Sequence, residues 1–511
     1  MGHRVSDNLL SQLNQCVTAQ MGLYFPRERW GDLERGVMAA TGEFGFEDVD
    51  SCIQWLLSAL LTRQQTEILA SHLTVGETYF FRDPAIFEAL KTRILPELIR
   101  APRGAERRLR IWCAGCGSGE EPYSMAIVLT EMLADLADWQ LMILATDINS
   151  RSLRKAAQGV YTEWSFRGVP PWIKEQYFTT ERAGHYTILP AIKTMVAFAY
   201  HNLVADSYPS LLNNTNAMDI VLCRNVLMYL TPEWARSVVQ NLHRSLVDGG
   251  WLIVSPSEGS VVSPPAFVPV QFPEGILYKK RRQPPQGIKA VMPVLAPDVT
   301  APQATVYRQP PREDTTVPPS GASVPQEAET SLPPHAEEGT TAATETPAYI
   351  EALALYREGR YAAAARTLVK SSPHLLTDVP AMTLLARTYA NQGKLLEALM
   401  WCERALATDH LYPTCQYLHA TILQAQGRNE EAVKSLRQVL YLDPNSVLAH
   451  YMLGRLTARR GNRRRSRQHF QEALSLLSAL EWGEIVPESE GISVGRLMEV
   501  IRSTEGKEAL L

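Results

Sequence analysis

The sequence predicts an α/β protein that continues into an all-α repeat domain, and three observations lead to this. Between residues 107 and 280, apolar runs of strand length alternate with helical segments. That alternation is typical of a mostly parallel, doubly wound sheet with helices on both faces. Upstream of it, apolar residues recur at helical spacing. Downstream of residue 345, a glycine recurs every 34 residues, which indicates stacked helix pairs.

Length and composition limit the possible classes of protein. A chain of 511 residues should contain about three domains. The net charge of −4 points to no class of partner. Residues 9–23 lack the apolar core of a signal peptide, and we find no apolar run long enough to cross a bilayer. We therefore expect a cytoplasmic, monomeric protein that neither inserts into membranes nor binds nucleic acid.

Residues 1–75 are predicted to form a helical N-terminal domain. Residues 50–59 carry Ile, Trp and Leu at helical spacing behind an Asp/Ser start, and residues 62–73 repeat the pattern. The sheet domain is predicted over residues 76–282. Its strands are expected at 109–114, 141–146, 195–200, 219–223 and 251–255.

A glycine-rich loop follows the first predicted strand. Gly115, Gly117 and Gly119 allow sharp turns and a close approach of the backbone to a ligand. Dinucleotide sites use G-x-G-x-x-G and place phosphates at a helix N-terminus, whereas this helix opens with Glu120 and Glu121. Because two carboxylates repel a pyrophosphate, a ligand without phosphates, such as S-adenosylmethionine, is favoured. The spacing alone leaves a dinucleotide site open.

Cys113 and Cys116 form a C-x-x-C pair, which also occurs in redox and zinc sites. A second pair is missing, because Cys223 stands alone and the remaining cysteines are scattered. We interpret both residues as small side chains that fill a strand end and a tight loop. No metal is expected.

Asp147 ends the second predicted strand. Its distance from the glycine loop is typical of the acid that accepts hydrogen bonds from ribose hydroxyls. Alternatively, Asp147 caps the helix that begins near Asn149. The glycine loop upstream favours the ribose role.

Residues 283–345 are predicted to be a disordered linker. Twelve of the 33 prolines lie between Pro284 and Pro334, with almost no aromatic residues among them. Such a composition buries too little apolar surface to offset the entropy of ordering.

Residues 346–480 are predicted to form about four helix-pair repeats. Gly359, Gly393, Gly427 and Gly461 are 34 residues apart, and a small residue follows each glycine five positions later. Period and glycine position match the tetratricopeptide repeat, whose grooves hold peptides or partner helices. The sequence does not identify the ligand of these repeats.

The predicted tail, residues 481–511, contains an amphipathic helix at 491–503 that is expected to cap the last repeat. Seven arginines lie between Arg455 and Arg467. Because no aromatic residues are interleaved for base stacking, a solvated face or a surface for an acidic protein is favoured over nucleic-acid binding.

Five short segments carry the most specific pattern in the chain. They are Gly76–Asp83, Trp112–Ser124, Ala145–Asn149, Asn202–Leu203 and Cys223–Tyr229. In this order they resemble the successive motifs of the CheR-type chemoreceptor methyltransferases, over about residues 10–280. The resemblance implies a helical domain packed on a class I S-adenosylmethionine-dependent domain. It also implies that the enzyme esterifies glutamate side chains on the cytoplasmic coiled coil of chemoreceptors and releases S-adenosylhomocysteine.

The resemblance also implies which residues contact the cofactor. Thr78 and Arg82 would hold its methionine end, with the guanidinium facing the carboxylate. Glu120 would meet the amino acid or ribose region, and Asp147 the ribose and neighbouring adenosine. The adenine and active-site pocket would be lined by Asn202, Leu203, Asn225 and Val226.

The sequence identifies no catalytic residue. A glutamate carboxylate is ionised near neutral pH and the sulfonium is a good leaving group, so neither a general base nor a metal is needed. Catalysis should come from holding the carboxylate oxygen about 3 Å from the methyl carbon. Arg224 and Tyr229 are candidates to orient that carboxylate, but a structural role explains them equally well.

Two departures from the family pattern affect the interpretation. Gly76 stands where many members have asparagine, which removes a side chain near the cofactor. Residues 179–186, where some members bind a receptor's C-terminal pentapeptide, contain a single glycine. Pentapeptide tethering is therefore not expected, and the repeats would recruit or regulate the enzyme instead, with recruitment to receptor arrays at the inner membrane as one consequence.

Two other functions are alternatives to receptor methylation. An inactive chemosensory scaffold that works through its repeats is the main alternative. The matched positions other than Gly76 keep polar or glycine residues suited to binding, which argues against lost turnover. A methyltransferase for small molecules or nucleic acid is disfavoured, because the segment from Thr78 to Arg82 resembles the receptor-modifying family.

Overall fold

The computed structural model describes residues 5–100, 107–133, 135–181, 184–262, 266–273, 275–281, 346–370 and 377–509. The predicted linker lies outside the described residues. The described parts on either side of it belong to one compact unit. Among the described residues, no helix combines the length and apolarity needed to cross a membrane.

The N-terminal domain contains four α-helices whose apolar faces share one core. They are α1 (Asp7–Met21), α2 (Trp30–Thr41), α3 (Val49–Leu57) and α4 (Arg63–Leu73). The two helices expected from apolar spacing are α3 and α4. Thr62 begins α4 with a capping box, in which its hydroxyl accepts from the amide of Gln65 and the Gln65 side chain accepts from the amide of Thr62. Leu13, Ile53 and Leu69 are fully buried in the shared core.

Among the described residues, the main sheet has seven strands, in the order β6-β2-β1-β7-β8-β10-β9. Those that follow the doubly wound pattern are β1 (Arg108–Ala114), β2 (Gln140–Asp147), β6 (Val196–Tyr200), β7 (Met218–Leu222) and β8 (Leu246–Ile253). These five pair in parallel, which confirms the mostly parallel sheet. β9 (Phe267–Phe272) and β10 (Gly275–Lys280) form an antiparallel hairpin that adds to β8 and that the sequence did not predict.

Helices cover this sheet and lead into it. They are α5 (Pro84–Ala89), α6 (Leu95–Arg100), α7 (Glu120–Met132), α8 (Ser150–Gln158), α9 (Pro171–Tyr177), α10 (Pro190–Lys193) and α11 (Pro232–Ser245). A second, three-stranded sheet has the order β3-β5-β4 and comprises β3 (Val160–Thr162), β4 (Phe178–Thr180) and β5 (His185–Ile188). It contains the segment 179–186 considered above for pentapeptide binding, of which residues 182 and 183 lie outside the described part.

The described part of the C-terminal region contains four helix pairs, which confirms the repeats. They are α12 (Pro347–Arg357) with α13 (Tyr361–Lys370), α14 (Val379–Asn391) with α15 (Leu395–Thr408), α16 (Pro413–Ala425) with α17 (Asn429–Leu442), and α18 (Val447–Arg459) with α19 (Arg463–Leu477). The glycine between the two helices of each pair has a φ of 74° to 77°. The small residue five positions later is fully buried at Ala364, Ala398, Ala432 and Ser466. The repeat therefore reflects one turn and one close helix contact, made four times.

A last helix, α20 (Val494–Ala509), packs against α19 and adds Leu497 and Ile501 to the core of the repeats. This is the cap expected from the amphipathic pattern. The repeats also lie against the sheet domain. Leu212, in the loop after β6, is buried in the core of the repeats, and Arg496 on α20 forms an ion pair with Asp206 at 2.7 Å.

Candidate functional site

A cavity opens at the carboxyl ends of the parallel strands. It lies where the strand order reverses between β1 and β7, the usual place for a ligand in such sheets. Most of the predicted site residues line it: Thr78, Arg82, Gly115, Gly117, Asp147, Leu203, Arg224, Asn225, Val226 and Tyr229. The chain therefore brings all five motif segments to one edge of the sheet.

The glycine loop fits closely against its neighbours. Gly115 and Gly117 have φ values of 78° and 55°, which residues with a Cβ adopt at a cost. A Cβ on Gly115 would lie 2.3 Å from Cγ2 of Val226, and one on Gly117 would lie 3.3 Å from Cγ2 of Thr78. Gly119 is outside the cavity lining; its missing Cβ makes room for Ala156 on α8. Two glycines thus shape the cavity and the third permits helix packing.

Replacing Gly115 by alanine is expected to lower the free energy of unfolding by about 2–3 kcal/mol, from the clash with Val226 and the left-handed φ together. Gly168 offers a matched control, since its φ is 76° and a Cβ there would meet nothing within 4 Å. Gly168→Ala should show only the conformational cost, about 1 kcal/mol. Urea denaturation of both variants checks this, and equal losses would contradict the close contact with Val226.

Asp147 is held at the cavity wall by backbone amides. One carboxylate oxygen accepts from the amide of Gly117 and the other from the amide of Asn149, both at 2.8 Å. Burial raises the pKa of Asp147, and these amides oppose that rise. The cap of α8 is Asn149, whose side chain accepts from the amides of Arg151 and Ser152. Asp147 is therefore not the helix cap, and its oxygens keep lone pairs for a ligand.

Arg224 joins two walls of the cavity. Its side chain is 2% exposed. It donates to Glu121 at 2.8 Å, to the carbonyl of Arg82 at 2.8 Å, and to the carboxylate of Asp83. Burial raises the pKa of Glu121, and the Arg224 charge opposes this rise. Arg224 thus ties the segment with Thr78 and Arg82 to the start of α7.

Glu258 organises the loop after β7, and sequence reasoning missed it. Its buried carboxylate accepts from the amides of Asn225 at 2.9 Å and Val226 at 2.8 Å. Asn225 adopts a positive φ of 58°, which these bonds stabilise. The pattern Ser255-Pro-Ser-Glu258 is a capping box in the structure, and this spacing was a signal available in the sequence.

Three residues predicted to contact the cofactor do not line the cavity, namely Gly119, described above, Glu120 and Asn202. Glu120 is 1% exposed and accepts from the hydroxyls of Ser118 and Ser165, while the adjacent Glu121 lines the cavity. Asn202 is also buried. Its amide group donates to the carbonyl of Gln20 at 2.8 Å, and its oxygen accepts from the amide of Val204. Glu120 and Asn202 therefore lie behind the cavity lining and hold neighbouring segments in place.

The N-terminal domain closes one side of the cavity, which the sequence did not reveal. Met21, Leu23, Tyr24, Phe25 and Arg29 contribute to the lining. The amide of Tyr24 donates to the carbonyl of Tyr229 at 2.9 Å, in a short antiparallel contact between Leu23 and Leu230. Helical domain and sheet domain therefore form the cavity together.

The cysteines beside the glycine loop are part of the apolar core. Cys113 and Cys116 are buried free thiols, and burial raises the pKa of each thiol well above its ordinary value. This agrees with their interpretation as packing residues. Among the described residues, no group of three or more His, Cys, Asp or Glu side chains is placed to hold a metal ion.

His201 is a buried residue of the cavity wall. Burial lowers its pKa to about 4, although the nearby Asp206 carboxylate opposes this. The unfolded chain, in which histidine titrates near 6.5, binds more protons than the folded chain between these values. Stability should therefore fall as the pH decreases from about 6.5 to 4, by up to about 1.4 kcal/mol per pH unit for this group.

The matched variant is His201→Gln, which cannot take up that proton. Unfolding in urea at several pH values should show a shallower fall in stability for the variant than for the unaltered protein. Identical pH dependence of the two proteins would contradict the buried, neutral state of His201.

Comparison with known proteins agrees with the motif order. Residues 76–275 match the family described as CheR methyltransferase, SAM binding domain, and residues 381–408 and 420–461 match tetratricopeptide repeat families. The chain is 37% identical over 235 residues to chemotaxis protein methyltransferase 1 of Pseudomonas aeruginosa, covering 44% of this chain and 83% of that protein. It is 29% identical over 413 residues to the probable biofilm formation methyltransferase WspC of the same species, covering 80% of this chain and 86% of that protein.

Proposed function

Because this chain belongs to the CheR methyltransferase family, we propose that it transfers the methyl group of S-adenosylmethionine to glutamate side chains of chemoreceptors. One observation carries the proposal. The five segments that resemble the family motifs, far apart in sequence, meet around one cavity at the topological switch point of the sheet.

The lining residues suit the parts of this cofactor. Both Asp147 and Arg82 line the cavity, where Asp147 would accept hydrogen bonds from the ribose hydroxyls and Arg82 would pair with the methionine carboxylate. Glu121 and Asp147 make the cavity unfavourable for a pyrophosphate, which supports the sulfonium cofactor over a dinucleotide. When bound, the cofactor supplies an electrophilic methyl group. The cavity walls, including Tyr229, would then orient the incoming carboxylate and exclude water, while Arg224, whose terminal nitrogens bind Glu121, Asp83 and the Arg82 carbonyl, would hold two of these walls together.

The repeats are proposed to recruit or regulate this activity. The similarity to WspC extends over both the methyltransferase region and the repeats, which supports the two acting in one protein. An inactive scaffold remains the alternative function. A scaffold would need the repeats but not the geometry of the glycine loop. Because that geometry is intact in this chain, methyl transfer is favoured over the scaffold.

Methyl transfer tests the proposal. The full chain is incubated with methyl-labelled S-adenosylmethionine and purified cytoplasmic fragments of chemoreceptors from the same organism. We expect label in the receptor that base releases as methanol, as a carboxyl ester does. Absence of base-labile label on every receptor fragment, with cofactor bound, would favour the scaffold.

A further inference from the structure

A short acidic hairpin follows the last repeat and enters the inner face of the repeats. Residues 484–494 fold back on themselves, with the amide of Val486 donating to the carbonyl of Ile492 at 2.9 Å and the amide of Val494 to the carbonyl of Glu484 at 2.8 Å. Val486 is 1% exposed and lies in the hydrophobic core of the repeats. The tip of this acidic hairpin is the sequence Glu488-Ser489-Glu490.

The first helices of successive pairs hold the two carboxylates of the tip. Glu488 accepts from Arg387 on α14 at 2.7 Å and from the hydroxyl of Thr414 on α16 at 2.8 Å. Glu490 accepts from the hydroxyl of Tyr356 on α12 at 2.9 Å. Asn391, also on α14, donates to that same Tyr356 hydroxyl at 3.0 Å. Helices from three repeats therefore bind two carboxylates that are two residues apart.

A second arginine occupies the position equivalent to Arg387 two repeats further along the chain. Arg455 on α18, the first helix of the fourth pair, donates to the carbonyl of Leu212. Together Arg387 and Arg455 make the face lined by the first helices favourable for negative charge. The positive charge of the groove and the negative charge of the hairpin tip are thus complementary.

The two glutamates of the hairpin tip have backbone conformations that are unfavourable for residues with a Cβ. Glu488 and Glu490 have φ values of 65° and 58°, in the left-handed region that side chains with a Cβ rarely occupy. Pro487 and Ile485 beside them are exposed. The contacts to the repeats therefore offset a local conformational cost, and a ligand without that cost can compete for them.

We propose that this groove is a binding site for an acidic peptide segment of a partner protein, with two carboxylates two residues apart, and that the acidic hairpin occupies it in cis. A partner segment binds by displacing the hairpin. Its apparent affinity is therefore its intrinsic affinity multiplied by the fraction of molecules in which the hairpin has left the groove.

Displacement has a consequence for the sheet domain. Glu490 also accepts from the amide of Leu211 at 2.8 Å, and the carbonyl of Gly491 accepts from the hydroxyl of Ser207 at 2.7 Å. Both partners lie in the loop after β6, which begins with the cavity residues His201 and Leu203. Binding of a partner segment thus frees a loop that continues into the cavity wall.

The test uses the full chain and a fluorescent peptide with the sequence of residues 482–495. The variant Glu488→Ala/Glu490→Ala removes the cis carboxylates and should bind this peptide on the order of tenfold tighter than the unaltered protein. The control Glu481→Ala/Glu484→Ala changes two exposed acids outside the tip and should leave affinity unchanged. A peptide with Gln at both tip positions should bind on the order of tenfold more weakly. Equal affinity of the two peptides, or no gain in the tip variant, would overturn the proposal.

A second measurement does not depend on how the variant folds. In the unaltered protein, saturating peptide should speed amide hydrogen exchange at Val486 and Leu211, because Leu211 loses its bond to Glu490 and the core of the repeats no longer shields Val486 from water. Unchanged exchange at both amides would equally overturn the proposal.

Discussion

The variant Asp147→Asn is expected to bind S-adenosylmethionine at least about 100-fold more weakly than the unaltered protein. Asn cannot accept from the amides of both Gly117 and Asn149, because one of its two terminal atoms is itself a donor. The change therefore loosens the glycine loop and also removes an ionised acceptor for the ribose. Losing bonds to a charged group costs about 1.5–3 kcal/mol each, which corresponds to this fold-change.

Calorimetry measures this effect. The matched control is Asp138→Asn, which alters an exposed carboxylate paired with Arg107 outside the cavity and should leave cofactor affinity unchanged. Affinity retained in Asp147→Asn would place the ribose elsewhere.

The variant Arg224→Gln is expected to lower the free energy of unfolding by about 3–5 kcal/mol, because it leaves the largely buried Glu121 carboxylate without its counter-charge. Glu121, 13% exposed, and Asp83 both depend on this guanidinium. Cofactor binding should weaken as well, since Arg224 joins the segment with Arg82 to α7.

Urea denaturation provides the measurement, with Arg236→Gln as the control. Arg236 forms an exposed pair with Glu233, and its loss should cost less than about 1 kcal/mol. The double variant Arg224→Gln/Glu121→Gln should recover part of the stability, because it removes the stranded charge. Similar losses in Arg224→Gln and Arg236→Gln would contradict the role of the buried pair.

Sequence patterns predicted the elements whose signals are local. Parallel strands appear as uninterrupted apolar runs, and the repeats appear as a fixed period, because each repeat makes the same turn. Hairpin β9–β10 escaped prediction, since its strands mix polar and apolar residues and include Pro269. Its place is set by pairing with β8, a contact that no local window contains.

In the candidate site, too, residues with a local sequence signal were predicted, and those placed by long-range contacts were not. Gly115, Gly117 and Asp147 were predicted from spacing, and all three line the cavity. The difference between Glu120 and Glu121 was not predictable from the motif, because adjacent residues on a helix point about 100° apart and only the surrounding fold shows which one faces the cavity. Tyr24 and Phe25 line the cavity because the backbone of Tyr24 bonds to that of Tyr229, a contact between positions some 200 residues apart.

The acidic hairpin is a further case. Its residues have no regular period, and the sequence assigned them only to a tail before a capping helix. Their contacts with Arg387 and Tyr356 join positions 101 and 134 residues apart. Such long-range contacts depend on the assembled repeats.

A crystal structure of the full chain with S-adenosylhomocysteine tests the central claim most directly, namely that the cavity after β1 holds the methyl donor. We predict the ligand in this cavity, with its ribose hydroxyls at the Asp147 carboxylate and its amino acid carboxylate at Arg82. A ligand bound elsewhere, or in this cavity without contact to Asp147, would contradict the account.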